Sequence, residues 1–236
     1  MKILRTHDSF YSYEDRKNQP KEYFKFIAKK IAGKINQQKN PLLLDIGCAT
    51  GEFIAFFKSL FPQVRFTGID VMEELLSKAK VNCPDSEFIY GNIVERNTLP
   101  QNKYDFVFLL AVHSIWDDPK IWIDNLKYLT RQDGHAYVFG MFNPEPVDVF
   151  VKSRRTDIEI NHLESGWNVI SINTINKYLN EINARYSWEE WKIGIPIEKN
   201  KNDPLRAWTI KDNKNNYLIV NGLQILHKLF FLEITF

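Results

Sequence analysis

The sequence predicts an α/β protein with a doubly wound, mostly parallel sheet, and three observations carry that expectation. Leu42–Phe53 (LLLDIGCATGEF) runs from a continuous apolar segment through a small-residue turn into helical spacing, with Phe53, Phe56, Phe57 and Leu60 three and four residues apart. That is the pattern of a buried parallel strand feeding a helix. Gln63–Asp70 (QVRFTGID) repeats the strand and again closes on an acid. Beyond it, apolar runs at Ser86–Tyr90, Tyr104–Val112 and Gly134–Met141 alternate with helical patterns through Leu75, Leu76 and Ala79 and through Trp122, Leu126 and Leu129. Such alternation builds a parallel sheet from β and α units.

The first turn says most about the ligand. Gly47 and Gly51 bracket Cys48, Ala49 and Thr50, so side chains are small where the backbone must turn and approach a bound molecule. A dinucleotide fingerprint would need glycine at 47, 49 and 52, where the chain holds Gly47, Ala49 and Glu52; a carboxylate in the first helical turn opposes a pyrophosphate there. Asp45 adds a second anion beside the turn. Two carboxylates suit a ligand with positive groups, such as the sulfonium and ammonium of S-adenosylmethionine. On Asp45, Gly47 and Gly51 the chain resembles the class I S-adenosylmethionine-dependent methyltransferases, whose first motif is D/E-x-G-x-G-x-G, with Ala49 standing in for the middle glycine. The resemblance implies a seven-stranded sheet whose seventh strand is antiparallel, S-adenosylmethionine as methyl donor, S-adenosylhomocysteine as product, and cofactor contacts from Asp45, Gly47, Cys48, Ala49 and Gly51.

Taken in order, residues 1 to 18 are polar and aromatic, and a helix follows from near Pro20 through Tyr23, Phe24, Ile27, Ile31 and Ile35. In the resembled family an N-terminal segment often closes over the cofactor, which makes Tyr11, Tyr13 and Arg16 lid candidates; an arm whose aromatics cover the core is the alternative. Asp70 lies 23 residues beyond Gly47, close to the ~20-residue offset at which a nucleotide fold places a carboxylate on the ribose hydroxyls. The alternative for Asp70 is a helix cap. Val71 and Met72 follow with apolar contact for the adenine. At the end of the third strand the family usually carries an Asp for the adenine amino group, with the next backbone reading the ring; here Asn92 and Ile93 hold those places.

The fourth strand ends at Ala111 and Val112 and opens into His113-Ser114-Ile115-Trp116-Asp117-Asp118-Pro119. Carboxyl ends of central strands form the ligand crevice, so Ala111 is assigned to the cofactor and Trp116 to the methyl acceptor. His113 is the candidate general base, because an unperturbed imidazole titrates near neutrality; hydrogen bonding to a loop is its alternative role. Asp117 is the fallback base and Asp118 a helix cap. After the fifth strand, Asn143-Pro144-Glu145-Pro146 is a rigid turn leading into residues 143 to 168, the expected substrate cover. Asn143 and the basic pair Arg154-Arg155 are its candidate acceptor contacts, since Arg suits bidentate recognition of an anionic group. A helix over Ser171–Ile182, a strand over Tyr186–Ile195, a hairpin at Leu205–Ile210 and Tyr217–Val220, and a terminal strand at Leu229–Phe236 complete the chain. The hairpin reads as an insertion between the sixth and seventh strands.

Composition bounds the rest. The 236 residues read as one domain: 1–40 a lid and helix, 41–142 the cofactor-binding core, 143–168 the cover, and 169–236 the C-terminal helix and strands. With 31 basic and 29 acidic residues the net charge is +2, spread without long blocks, which gives no footprint for nucleic acid. The position after the fourth strand also lacks the N/D/S-P-P-Y/F/W motif of nucleic-acid amino methyltransferases. Cys48 and Cys83 make no disulfide framework, and no Cys/His cluster has metal-ligand spacing, so no metal is expected. The opening residues hold no apolar core of a signal peptide and no run approaches the ~18 apolar residues of a membrane span, so no membrane insertion and a cytoplasmic location are expected. The partner expected is a small-molecule methyl acceptor, an anionic metabolite or surface-sugar precursor, taken by a monomer or homodimer. The resemblance extends weakly through the Asp203-Pro204-Leu205-Arg206 and Asn221-Gly222-Leu223 turns. The competing readings are a non-catalytic methyltransferase-like subunit and a methyltransferase acting on protein or RNA.

Overall fold

A computed structural model of the chain describes residues 5–13 and 19–236. A 3-10 helix, Thr6–Tyr13, precedes α1 (Glu22–Asn36), which begins two residues after Pro20 rather than on it. The core then alternates as the sequence predicts: β1 (Leu42–Ile46), α2 (Glu52–Leu60), β2 (Arg65–Asp70), α3 (Glu73–Asn82), β3 (Glu87–Tyr90), β4 (Tyr104–Leu110), α4 (Pro119–Leu129) and β5 (Thr130–Asn143). The cover carries the two-residue strands β6 (Lys152–Ser153) and β7 (Glu164–Ser165), and β8 (Ile170–Ser171) leads into α5 (Ile172–Glu181). After β9 (Arg185–Trp191) come β10 (Trp208–Lys211), β11 (Tyr217–Val220), β12 (Leu226–His227) and β13 (Leu229–Thr235).

The main sheet runs β3-β2-β1-β4-β5-β13-β9, with β8 added beside the end of β5. Strands β1 to β5 are mutually parallel, and β13 is antiparallel to both β5 and β9. This is the seven-stranded arrangement expected, with β13 as the reversed strand. The insertion before it is larger than a hairpin, because β12 extends β10 and β11 into a separate three-stranded antiparallel sheet.

Alternation of side chains across the pleat divides the core. Leu43, Phe66, Phe106, Phe108 and Phe139 face α1, α2 and α3, while Leu44, Ile46, Val107, Leu109 and Val138 face α4 and α5. Leu43 and Leu44, adjacent in β1, are both 0% exposed on opposite faces. Full burial on both faces explains why β1 reads as a continuous apolar run rather than an alternating one. Asp118 caps α4 as expected, accepting from the Lys120 amide at 2.9 Å with Pro119 at the first helical position. The sheet order reverses between β1 and β4, and the crevice outside their carboxyl ends is where a doubly wound sheet binds its ligand. Among the described residues, no helix is long and apolar enough to cross a membrane.

Candidate active site

Two adjoining cavities open at the carboxyl ends of the strands. The first is a cleft of about 150 Å³ over β1, β2 and β3. Its floor is the turn after β1, where Gly47, Ala49 and Gly51 all take left-handed backbone, at φ +74°, +47° and +79°. Gly47 is required twice over: beyond its φ, a Cβ there would sit 2.6 Å from Val112 Cγ2. Ala49 tolerates the same region at a cost of about 1 kcal/mol. The amides of Gly47 and Cys48 both donate to the Ile69 carbonyl, at 2.8 and 3.0 Å, which ties the turn to the neighbouring strand.

Asp70 locks the other side. One carboxylate oxygen accepts from the Ala49 amide and the other from the Met72 amide, each at 2.9 Å. The acid thus clips the glycine turn to the start of α3, combining the cap with a position on the cleft wall. Each oxygen keeps a second lone pair for a ligand hydroxyl. Asp45 is 3% exposed beneath the turn, and burial first, then repulsion from Asp70, pushes its carboxyl up to about 8. Burial likewise raises the Cys48 thiol well above its usual value, so it is not a ready nucleophile.

Asp45, Gly47, Cys48, Ala49, Asp70, Val71, Met72, Asn92, Ile93 and Ala111 all line this cleft. Gly51 does not. A Cβ on it would press on Ala79 and Phe88 at 3.3 Å, so this glycine serves the packing of α2 against α3 and β3. Asn92 lines the cleft by position, but its amide holds a local turn, accepting from the Val94 amide at 3.2 Å and donating to Glu95 at 2.7 Å. Arg16 and the side chain of Tyr13 lie outside the described residues. Tyr11 sits at the edge of both cavities.

The second cavity is a chamber of about 590 Å³ that shares Arg5, Tyr11, Lys21, Tyr23 and Ala111 with the cleft. Its walls are largely apolar: Phe139 and Met141 from β5, Trp167 from the cover, Trp191 from β9, and Ile193, Leu205 and Ile219 from the insertion. The N-terminal segment roofs the junction. Thr6 donates through its amide and hydroxyl to Glu164, at 2.8 and 3.0 Å, and the Arg5 guanidinium lies 5.2 Å from the Trp167 ring centre.

Several catalytic and acceptor assignments need correction. His113 lines the chamber yet is 1% exposed, with its ring stacked on Phe142 at 4.3 Å. Its Nε2 donates to the Met141 carbonyl at 3.0 Å, and burial lowers its pKa to about 4. A sequestered and weakly basic imidazole is a structural part of the wall rather than a general base. Asp117 accepts from Lys152 at 2.9 Å and from Asn168 at 2.9 Å, and the Lys152 contact holds its carboxyl below the usual range. It pins the cover to the loop after β4 and lines neither cavity. Asn143 bridges Val147 and Glu145 in its own turn. Arg154 is exposed and Arg155 pairs with Asp157, and neither lines a cavity. Trp116 lines the cleft, not the chamber. Among the described residues no cluster of His, Cys, Asp or Glu could hold a metal ion.

The sequence reading missed His7, Trp167, Trp191 and Arg206 as chamber residues, and Asp203 behind them. Asp203, in the Asp203-Pro204-Leu205-Arg206 turn, is 0% exposed and lies 3.1 Å from His7 Nδ1 and 3.4 Å from Arg206 Nε.

Comparison with known proteins agrees with this architecture. Residues 44–136 match the methyltransferase domain family. A tRNA (guanine-N(7)-)-methyltransferase of Prochlorococcus marinus is 26% identical over 81% of the chain and 85% of its own length. A trans-aconitate 2-methyltransferase of Escherichia coli is 29% identical, but over 39% of the chain and 38% of its own length. The chain thus spans well under half of that relative. An S-adenosylmethionine-dependent methyltransferase from Clostridium acetobutylicum superposes with a TM-score of 0.60 over 98% of this chain and 99% of its own, at 12% identity. Residues 44–136 thus carry a methyltransferase domain, and the sheet order and strand-end cleft are those of the class I S-adenosylmethionine-dependent methyltransferase fold.

Proposed function

We propose that this protein transfers the methyl group of S-adenosylmethionine to an oxygen or nitrogen of a small molecule held in the larger chamber. One observation carries the reading: an apolar chamber roofed by the N-terminal segment, the cover and the insertion shares a wall with the strand-end cleft. The cofactor supplies an electrophilic methyl on sulfur. Asp70 holds the ribose hydroxyls with its remaining lone pairs, Val71, Met72 and Ile93 flank the adenine, and Asp45 lies below the positive groups. Alignment of donor and nucleophile is the principal contribution of the protein to such an in-line displacement. Aromatic and aliphatic walls suit an acceptor with an apolar body.

The similarity to a tRNA methyltransferase over most of the chain supports a second reading, methylation of an RNA base. A balanced charge and a chamber walled largely by aromatic and aliphatic side chains argue for the small molecule, since nucleic-acid binding leaves a basic electrostatic footprint. The test is release of S-adenosylhomocysteine with a panel of phenols, hydroxy acids and amines, alongside an unmodified tRNA transcript. Turnover with a panel member and none with tRNA is expected; the reverse result would replace this reading with the second.

A further inference from the structure

We propose that His7, oriented by the buried carboxylate of Asp203, takes the proton from a hydroxyl acceptor, a phenol, as that oxygen attacks the methyl group; this rests on the proposed function above. His7 lines the chamber, one ring away from its junction with the cleft, for it stands edge-on to Tyr11 at 5.6 Å and to Trp167 at 5.0 Å. Those contacts fix the plane of the imidazole. Asp203 fixes its tautomer: Oδ1 accepts from Nδ1 at 3.4 Å, with Oδ2 3.1 Å away, so Nδ1 carries the hydrogen and Nε2 is the nitrogen left to accept a proton.

The placement of Asp203 is costly for a merely structural role. A carboxylate that is 0% exposed needs partners to offset its desolvation; Oδ1 accepts from His7 and from the Leu205 amide at 3.1 Å, whereas Oδ2 has only His7 and Arg206 nearby and no hydrogen bond among the described residues. A neutral amide could staple the same turn to the N-terminal segment. A carboxylate behind an imidazole does something an amide does not, because it stabilises the imidazolium that forms when the ring accepts a proton. Among the described residues, the charged or titratable groups around His7 include Arg5, Asp8 and Tyr11 on its own segment, Lys21 before α1, Glu164 reached through Thr6, and Arg206 on the insertion.

A neutral hydroxyl is a weak nucleophile, and aromatic walls at Phe139, Trp167 and Trp191 suit a phenol ring. In the step, the phenol O–H bond breaks and its proton goes to His7 Nε2. The oxygen lone pair forms the new O–CH3 bond, and the S–CH3 bonding pair stays on sulfur, giving a neutral thioether. The imidazolium passes its proton to solvent after product leaves.

The full chain is assayed with S-adenosylmethionine and two probes in mildly alkaline buffer: 4-methylphenol, which keeps its proton, and 4-nitrophenol, which is already ionised. His7→Asn keeps a donor toward Asp203 without a base, and His7→Gln serves if that variant does not fold; S-adenosylhomocysteine binding by calorimetry verifies either. His7→Asn is expected to lower turnover of 4-methylphenol roughly 10²-fold or more while leaving 4-nitrophenol within about threefold of wild type. Asp203→Asn, acting through His7, should show the same selectivity with a smaller loss. Equal losses for both probes would make the pair structural, and no loss for either would place the base elsewhere. Failure of the wild-type enzyme to methylate either phenol would also overturn the proposal, and turnover of an amine or hydroxy acid in the same panel would show that the proposed function survives without it.

Discussion

The cleft and the chamber are neighbours in space but opposites in how the chain builds them. Apart from Asp8, the acids and glycines lining the cleft come from the ends of three consecutive strands and the turns that follow them, between Asp45 and Ile93, so each sits at a fixed distance from its own strand. The chamber draws on residues from Arg5 to Leu229, and its most telling pair, His7 and Asp203, is 196 residues apart. The cleft is rigid because its backbone is tied to β2 and α3 by hydrogen bonds. The chamber is held by side-chain ties between segments, such as Thr6 to Glu164 and Asp117 to Lys152.

If that contrast is right, damage to the cleft floor should be severe and specific. Gly47→Val faces both a left-handed φ of +74° and a contact of 2.6 Å with Val112. It should weaken S-adenosylmethionine binding by about 100-fold or more and cost about 2 kcal/mol of stability. Calorimetry and thermal melts read both, and near-wild-type binding would show that the turn is not the cofactor floor.

The next effect concerns protons rather than shape. Because burial pushes the folded Asp45 carboxyl up to about 8, far above the usual carboxylate range, its contribution to stability is fully present below the unfolded carboxyl's range and is lost as pH rises toward 8. Asp45→Asn should flatten that loss in pH-dependent melts of the cofactor-free protein. A positive ligand beside Asp45 favours its ionised form, so binding of S-adenosylmethionine near neutral pH should release a proton. Calorimetry in buffers of different ionisation enthalpy measures it, and an unchanged proton count in Asp45→Asn would remove the acid from the site.

Smaller effects are expected in the wall and the cover. His113→Phe loses the buried bond to Met141 and should cost about 1–3 kcal/mol, with turnover falling by less than about tenfold since the ring moves no proton. A larger loss of turnover in a folded variant would return His113 to the chemistry. Arg154→Gln and Arg155→Gln should leave the KM of the acceptor unchanged, because neither guanidinium reaches a cavity.

Legibility followed the same division. β1 through β5 and the cleft acids were readable because apolar runs, glycines and acids recur at short, fixed spacing, whereas the reversal of the final strand was implied only by the family resemblance. Gly51 was assigned to the ligand since the motif cannot distinguish a glycine that admits a cofactor from one that admits Phe88. His113 looked catalytic by position, but Ala111 at φ +60° lies just before a turn after which the imidazole stacks on Phe142, and burial of one side chain leaves no periodic signal. The basic pair at 154 and 155 was prominent in sequence and outside both cavities in space. Asp203 and His7 carried no signal, because nothing local links a turn in the insertion to the N-terminal segment.

The account stands most directly on whether the acids at the strand ends hold the cofactor, and titration of the purified chain with S-adenosylmethionine in a calorimeter answers it. One-to-one binding is predicted, with Asp70→Ala weakening it by about tenfold or more through the lost charge-assisted hydrogen bonds. No detectable binding to the folded wild-type chain, or equal affinity in a folded Asp70→Ala variant, would contradict it.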